Sequence, residues 1–424
     1  MARRLQGLIP TLFTSLLLAQ TLAVLDGTPT AARLASSATG KAVRGSVQPG
    51  IHQAGAPSAA TPTSTLPCPL EAGWQALLAL RLPRVDRSGR PSGGFSAAAY
   101  DPKSDTLQLL SDAPNGFVQR WGGLRALVTA AAQGRKGPLP SLQPREVLPL
   151  RSGYARLPKE MDGEGLVPLG ANLWVASEGR RNLSRPAQLL RFDAATGALR
   201  QALEMPAAWQ PAPGMGLDEN KGPESLALWR RAGKADTLLM ASETALLQDP
   251  AGQARLLQWE LSASGAMAHS IRSLALPGGG VWSLTELLAL PERRGGGVLA
   301  LLRRFEEPGG WGARLLLYPS PVMSSKTPSQ AAKPASQAST PLAPIQDWDL
   351  LARGPGNTGL PPDNWEGLSW GPTLADGRAS LVLISDDNFN PFQSNLLAVL
   401  APRRLANCPA KGNRSFRRSP ADVL

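Results

Sequence analysis

Gly163-Glu164-Gly165-Leu166, followed by Leu173-Trp174-Val175-Ala176-Ser177-Glu178, reads as an acid, an apolar run, a polar gap, a second apolar run and a second acid. The same order returns from Pro223-Glu224-Ser225-Leu226 to Ala241-Ser242-Glu243, and from Trp365-Glu366-Gly367-Leu368 to Ile384-Ser385-Asp386. Looser copies run from Phe95-Ser96-Ala97-Ala98 to Leu110-Ser111-Asp112 and from Thr285-Glu286-Leu287-Leu288 to Leu301-Leu302-Arg303. In chain order the copies start 68, 60, 62 and 80 residues apart. Self-similarity at a period of this length is the mark of a repeat architecture.

Each unit continues into two more short runs. In the second unit these are Gln188 to Asp193 and Leu199 to Met205; in the third, Arg255 to Glu260 and Ile271 to Leu276. Short runs broken by Gly, Asp and Pro turns are antiparallel strands. Four of them per repeat describe the blade of an all-β propeller. The count predicts five blades, with a sixth as the alternative because residues 120–160 exceed what one blade edge needs. The last unit supplies three strands, ending at Leu396 to Leu400, and the missing one is available at Trp74 to Leu82. A ring closed in this way leaves no open seam. It also brings Cys68 and Cys408, the chain's two cysteines, to neighbouring strand ends. In an exported protein they are expected to form a disulfide, worth about 4–5 kcal/mol on loop-entropy arguments; otherwise they remain two thiols.

Outside the repeats the composition changes. Gly (43) and Pro (40) make up about a fifth of the 424 residues, which excludes long helices and coiled coils. Met1-Ala2-Arg3-Arg4 and the apolar stretch from Leu5 to Leu25 predict an export signal or an N-terminal anchor over 1–27. Pro10 and the polar interruptions argue against a stable membrane span, which is expected only if the signal stays uncleaved. Residues 28–67, rich in Ala, Ser, Thr and Pro, are expected to be a disordered spacer. The propeller domain is expected over 68–409, with a low-complexity surface insertion at 320–344 and a basic tail at 410–424. Net charge is +12, of which residues 1–67 carry +4 and 401–424 carry +5. The folded part is nearly neutral, so nucleic acid is not an expected partner, and a periplasmic or secreted monomer is.

In an antiparallel hairpin the first residue of one strand lies beside the last residue of the next. The repeats therefore pair Glu164 with Glu178, Glu224 with Glu243, and Glu366 with Asp386, with Ser96/Asp112 and Glu286/Arg303 as variants. With the first strand of each blade innermost, all the pairs should ring one mouth of the central channel. Carboxylates this close need compensation. Bound hard cations could provide it, as could nearby bases (Arg180, Arg181, Lys221, Arg303, Arg304), or raised pKa values. In a purely structural role, each acid would instead cap backbone amides of the next blade.

Other chemistries lack support. The two histidines are His52, in the spacer, and His269, in an outer strand, and there is no G-x-S-x-G elbow. Zinc-ligand spacing, a P-loop and a dinucleotide fingerprint are also missing. Tryptophans at repeat positions (Trp174, Trp229, Trp282, Trp365, Trp370) fit packing between blades.

The chain resembles the phytase-like family described as "esterase-like activity of phytase". The residues that carry the resemblance are Gly93 to Ser96, Asp162 to Leu166 with Leu173 to Gly179, Asn220 to Leu226, Asp363 to Leu368, and above all Ser385-Asp386-Asp387-Asn388-Phe389-Asn390-Pro391-Phe392-Gln393. It implies an exported propeller acting on small phosphoesters or other esters with calcium or a similar divalent cation. On that basis Asp112, Glu164, Glu178, Glu243 and Asp386 are expected metal ligands. Glu224, Glu366 and Lys221 are expected catalytic groups, and Arg303, Arg304 and Asn388 are expected to bind substrate. Leu302-Arg303-Arg304 departs from the pattern, since the other units end in an acid. The competing expectation is a non-catalytic propeller that binds a small ligand, glycan or protein at the same face.

Overall fold

Every run of alternating or apolar residues in the repeats finds a strand partner within its own unit, as local hairpins require. The computed structural model describes residues 72–403, apart from short breaks at 86–88, 90, 114–115, 153–160, 183–184, 263–264, 292–295, 307–309, 322–339 and 355–356. The proposed signal, spacer and basic tail therefore lie outside the described residues, as do Cys68 and Cys408.

Five four-stranded antiparallel sheets form the blades. In chain order the first is β2 (Phe95–Asp101), β3 (Thr106–Ser111), β4 (Phe117–Gly122) and β5 (Gln143–Pro149). The second is β6 (Gly163–Leu169), β7 (Asn172–Ser177), β8 (Gln188–Asp193) and β9 (Leu199–Glu204). The third is β10 (Pro223–Trp229), β11 (Thr237–Ser242), β13 (Leu256–Ser262) and β14 (Gly265–Ser270). The fourth is β16 (Ser283–Ala289), β17 (Val298–Glu306), β18 (Gly310–Tyr318) and β19 (Gln346–Asp349). The fifth is β20 (Trp365–Thr373), β21 (Ala379–Ser385), β22 (Leu396–Pro402) and, from the other end of the chain, β1 (Trp74–Arg81). β1 pairs with β22 from Trp74↔Pro402 to Arg81↔Leu396, so the ring closes as expected. The first strands β2, β6, β10, β16 and β20 touch one another in cyclic order and form the innermost layer.

Five blades are borne out over the alternative of six, and one strand assignment is corrected. No sixth blade forms among the described residues: the extra length after β4 is helix α1 (Leu124–Ala132), which buries Leu124, Leu127 and Val128 against the β1 side of the ring. The fourth strand of blade three is also not at 271–276. The β13–β14 hairpin closes tightly, with Ser262 paired to Gly265, so the strand starts at once. Leu274–Ala275 (β15) instead pairs with Gln253–Ala254 (β12) in a separate ribbon. Leu342, at the end of the expected insertion, joins that ribbon through backbone hydrogen bonds to Ser273 and Ala275 and is buried.

The core is a set of apolar layers between adjacent blades. Trp174 and Trp209 fill one, Trp229 and Trp282 another, and Trp74 and Trp365 a third. The repeated tryptophans thus pack blade on blade. At the far ends of the inner strands the channel widens into a cavity of about 920 Å³, lined by residues such as Tyr100, Leu228 and Trp370. None of the repeated acids lines it; they occupy the opposite end. Among the described residues no helix is long and apolar enough to cross a membrane.

Candidate functional site: the acidic channel mouth

The innermost hairpin of each blade carries the same defect. In β2/β3, Phe95 opposes Ser111 and Ala97 opposes Leu110, which leaves Ser96 as an extra residue. Glu164, Glu224 and Glu366 are the extra residues of blades two, three and five. A bulge re-aims the unpaired side chain out of the regular alternation. In blade four the extra residue is Thr285, because Leu284 opposes Leu302 and Glu286 opposes Leu301. Aligning Glu286 with the bulge acids is therefore off by one position. Thr285 uses its hydroxyl on the carbonyls of Leu301 and Trp365. Glu286 accepts the amides of Leu226 (3.0 Å) and Leu287 (2.9 Å), one of them in blade three, and is fully enclosed. It performs the structural capping role, and burial drives its pKa well above the ordinary range.

The closing acids are fixed just as regularly. The backbone amides of Asp112, Glu178, Glu243 and Asp386 each donate to the carbonyl just before their blade's inner strand, at Gly94, Asp162, Gly222 and Asn364. The preceding serines are buried; Ser111 and Ser385, for example, hydrogen-bond the carbonyls of Gly93 and Ser394. Arg303 holds the equivalent position in blade four, opposite Ser283.

The side chains converge. Arg303 Nη2 lies 3.2 Å from Glu224 Oε1, 3.4 Å from Glu366 Oε1 and 3.9 Å from Glu243 Oε1. Lys221 Nζ pairs with Glu243 Oε1 at 2.8 Å. Asn364 Nδ2 donates to Glu366 Oε1 at 2.7 Å, and Gly222 donates its amide to Glu178 Oε1 at 3.2 Å. Two groups of three carboxylates have oxygens within 4.8 Å of one another: Asp162/Glu164/Glu178 and Glu178/Glu224/Glu243. Glu178 belongs to both. Asp112 and Asp386 belong to neither; they close the inner hairpins of blades one and five, and the Asp112 charge helps raise the pKa of Asp386.

Crowding sets the protonation. Burial, then Asp162 and Glu243, pushes Glu178 up to about 8. Glu366 is also pushed up to about 8 by burial, against the pull of Arg303. Burial and the neighbouring acids lift Asp112 and Asp386 to about 7. Glu164, which keeps partial solvent access, and Glu224 are raised well above the ordinary range by desolvation and by the other mouth acids. Arg303 is held even more firmly protonated by its three carboxylates.

Two expected residues stand apart. Arg304 follows the strand alternation away from the acids, pairing with Glu306 at 2.7 Å and lying 4.9 Å over the Trp282 ring. Asn388 is exposed at the rim; its amide donates to Asp386 Oδ1 and its side chain to Gln393. It and Phe389 both adopt left-handed backbone conformations (φ 46° and 49°), held by the Asp386 and Asp387 carboxylates.

Three acids or amides escaped selection from sequence. Asp162 is braced by Arg180 (3.1 Å) and Arg185 (3.6 Å). Asp387 receives the Gly94 amide and pairs with Arg84 at 3.4 Å. Asn364 links Glu366 to Asp386. Each directly adjoins or lies within two residues of a repeated acid, and that adjacency was the available signal.

Comparison with solved structures returns matches at low similarity. The Pan2 WD40 domain of Neurospora crassa is 10% identical, with 78% of this chain and 96% of that chain covered and a TM-score of 0.32. The Malassezia sympodialis allergen Mala s 1 is 10% identical (72% and 78% covered, TM-score 0.34). An α-L-arabinanase of Cellvibrio cellulosa, solved with arabinohexaose, is 13% identical (73% and 92% covered, TM-score 0.37). No curated protein sequence matches the chain. The model of the phytase-like family, "esterase-like activity of phytase", matches residues 90–389, which span the first strand of blade one to the Asp386–Phe389 loop of blade five. The chain belongs to the phytase-like family.

Proposed function

We propose that the protein is an exported hydrolase of small phosphoesters or carboxyl esters, working at the acidic mouth with a calcium-like divalent cation. The observation that carries this is the convergence of buried carboxylates from blades two, three and five on one point, with protonation poised near neutral pH. The donor chemistry fits a hard cation. All the clustered ligand atoms are carboxylate oxygens, as calcium prefers. Glu243 Oε2, Asp112 Oδ1, Asn364 Oδ1 and Asn395 Oδ1 are buried acceptors at this end without a hydrogen-bond donor. Asp162, Glu164 and Glu178 would hold the ion. Once bound, it would add positive charge beside the ester oxygen and lower the pKa of a water.

The chain's own groups supply the rest. Glu366, pushed up to about 8, keeps a proton at neutral pH that it can give to a leaving oxygen. Glu224, on the other side of the same guanidinium, would accept one once Arg303 and the bound ion have drawn off its own proton. Lys221, half-exposed beside Glu243, offers positive charge to an anionic substrate. Export would place Cys68 and Cys408 in an oxidising compartment, where they would bridge the strand ends paired at Trp74↔Pro402. The proposal covers a monomer with a small-molecule substrate and no nucleic acid. The test is release of phosphate from 4-nitrophenyl phosphate, and of alcohol from short carboxyl esters, with calcium supplied. Turnover lost in Glu224→Gln or Glu366→Gln supports it, and no turnover by the native protein sinks it. Binding without turnover would favour the non-catalytic alternative, which the capping role of Glu286 supports for that one acid.

A further inference from the structure

Blade four breaks the acidic pattern at both ends of the repeat, with Thr285 at the bulge and Arg303 at the closing position. The Arg303 guanidinium does not point away from the mouth, as an incidental substitution on a surface would. It bridges Glu224 and Glu243 of blade three and Glu366 of blade five, tying together the two blades that flank its own. These three carboxylates are all buried, with relative exposures of 5%, 0% and 6%. Arg304, the next residue, faces elsewhere and cannot share the task.

We propose that Arg303 is the resident counter-cation of the mouth, a covalently attached substitute for a divalent cation on the Glu224–Glu243–Glu366 side. The chemistry is an exchange of like for like. A calcium ion collects about six to eight oxygens at roughly 2.3–2.6 Å. The guanidinium, through Nη2, donates to Glu224 and lies within ion-pair distance of Glu366 and Glu243, and while it stands there no metal can occupy that space. The propeller therefore folds without metal, and a cation is admitted only beside Glu178, toward Asp162 and Glu164. That location for the metal rests on the hydrolase proposal; the role of Arg303 does not.

Removing the guanidinium should make the fold depend on metal. Thermal melting of the full chain in EDTA and in calcium, for the native protein, Arg303→Met and Arg303→Met/Glu366→Gln, tests this. The native protein is expected to melt cooperatively in EDTA. Arg303→Met should melt about 5–10 °C lower in EDTA, as expected when one partner of a buried ion pair is lost, and calcium should restore most of the difference. The double variant, which removes one carboxylate with the cation, should recover in EDTA. Should Arg303→Met fail to fold, the double variant decides: folded in EDTA supports the proposal and unfolded overturns it. Arg303→Met melting like the native protein in EDTA, or remaining low in calcium, overturns it as well. Absence of ester turnover would leave all these melting outcomes unchanged, so the two proposals can fail separately.

Discussion

Blades three and four each place a glutamate near the start of the inner strand, one residue apart in register, and the two have opposite fates. Glu224 is the bulge residue, turned to the mouth and shared with Arg303. Glu286 is the residue after the bulge, enclosed between blades and capping the amides of Leu226 and Leu287. A shift of one residue along a strand moves a side chain to the opposite face. The same residue type in nearly the same sequence context thus becomes a candidate chemical group in one blade and a structural cap in the next.

Activity gives the widest separation between them. Glu224→Gln and Glu366→Gln are each expected to lower turnover by about 10²–10⁴-fold, the usual contribution of a general acid or base. Glu286→Gln should leave turnover within about twofold, since a carboxamide oxygen can still accept one amide. Steady-state assay of the three purified variants checks this, and equal losses in all three would erase the distinction.

Stability should sort them the other way. Glu286→Ala leaves two buried amides without an acceptor and is expected to cost about 2–3 kcal/mol in a urea titration. Gly165→Ala probes the same inner layer. A Cβ there would lie 2.7 Å from the Leu226 backbone nitrogen, so a loss of about 1–3 kcal/mol is expected, with the acids untouched.

The mouth should also respond to pH where the Glu286 environment does not dominate. Asp112 and Asp386 sit at about 7, and Glu178 and Glu366 at about 8, whereas unfolded carboxyls titrate near about 4. Between these values the folded state holds more protons than the unfolded one. Their contribution to stability is thus complete below about pH 4 and is lost as pH rises through 7 to 8, each group contributing a slope on the order of 1 kcal/mol per pH unit. Melting temperature in EDTA should fall from pH 5 to pH 9, and calcium should flatten the fall. A rise with pH would contradict these protonation states. At the small end, Arg304→Ala should change stability by less than about 1 kcal/mol, because its ion pair is exposed and its remaining contact is with the Trp282 ring.

Much of this was legible in the chain. Four repeats carry Ser before the closing acid or an acid at the bulge, and the hairpin logic alone placed Glu164 beside Glu178 and Glu366 beside Asp386. The closing strand Trp74–Arg81 followed from counting three strands in the last unit. The helix Leu124–Ala132 was not separable from a further blade edge, since an apolar run of only nine residues does not by its pattern distinguish helix from strand. Which of two adjacent residues forms a bulge depends on pairing with the partner strand, and Thr285-Glu286 offered no local signal to decide it.

The sequence by itself determined the repeated hairpins and the end of the ring at which acids gather, because strand period and turn residues are local properties; the choice between five and six blades it left open. Only the tertiary structure decided that Arg303 stands among Glu224, Glu243 and Glu366, and that Arg304 does not. Those residues lie on different blades, and the distance between them is set by ring closure and bulge register, which no stretch of sequence encodes locally.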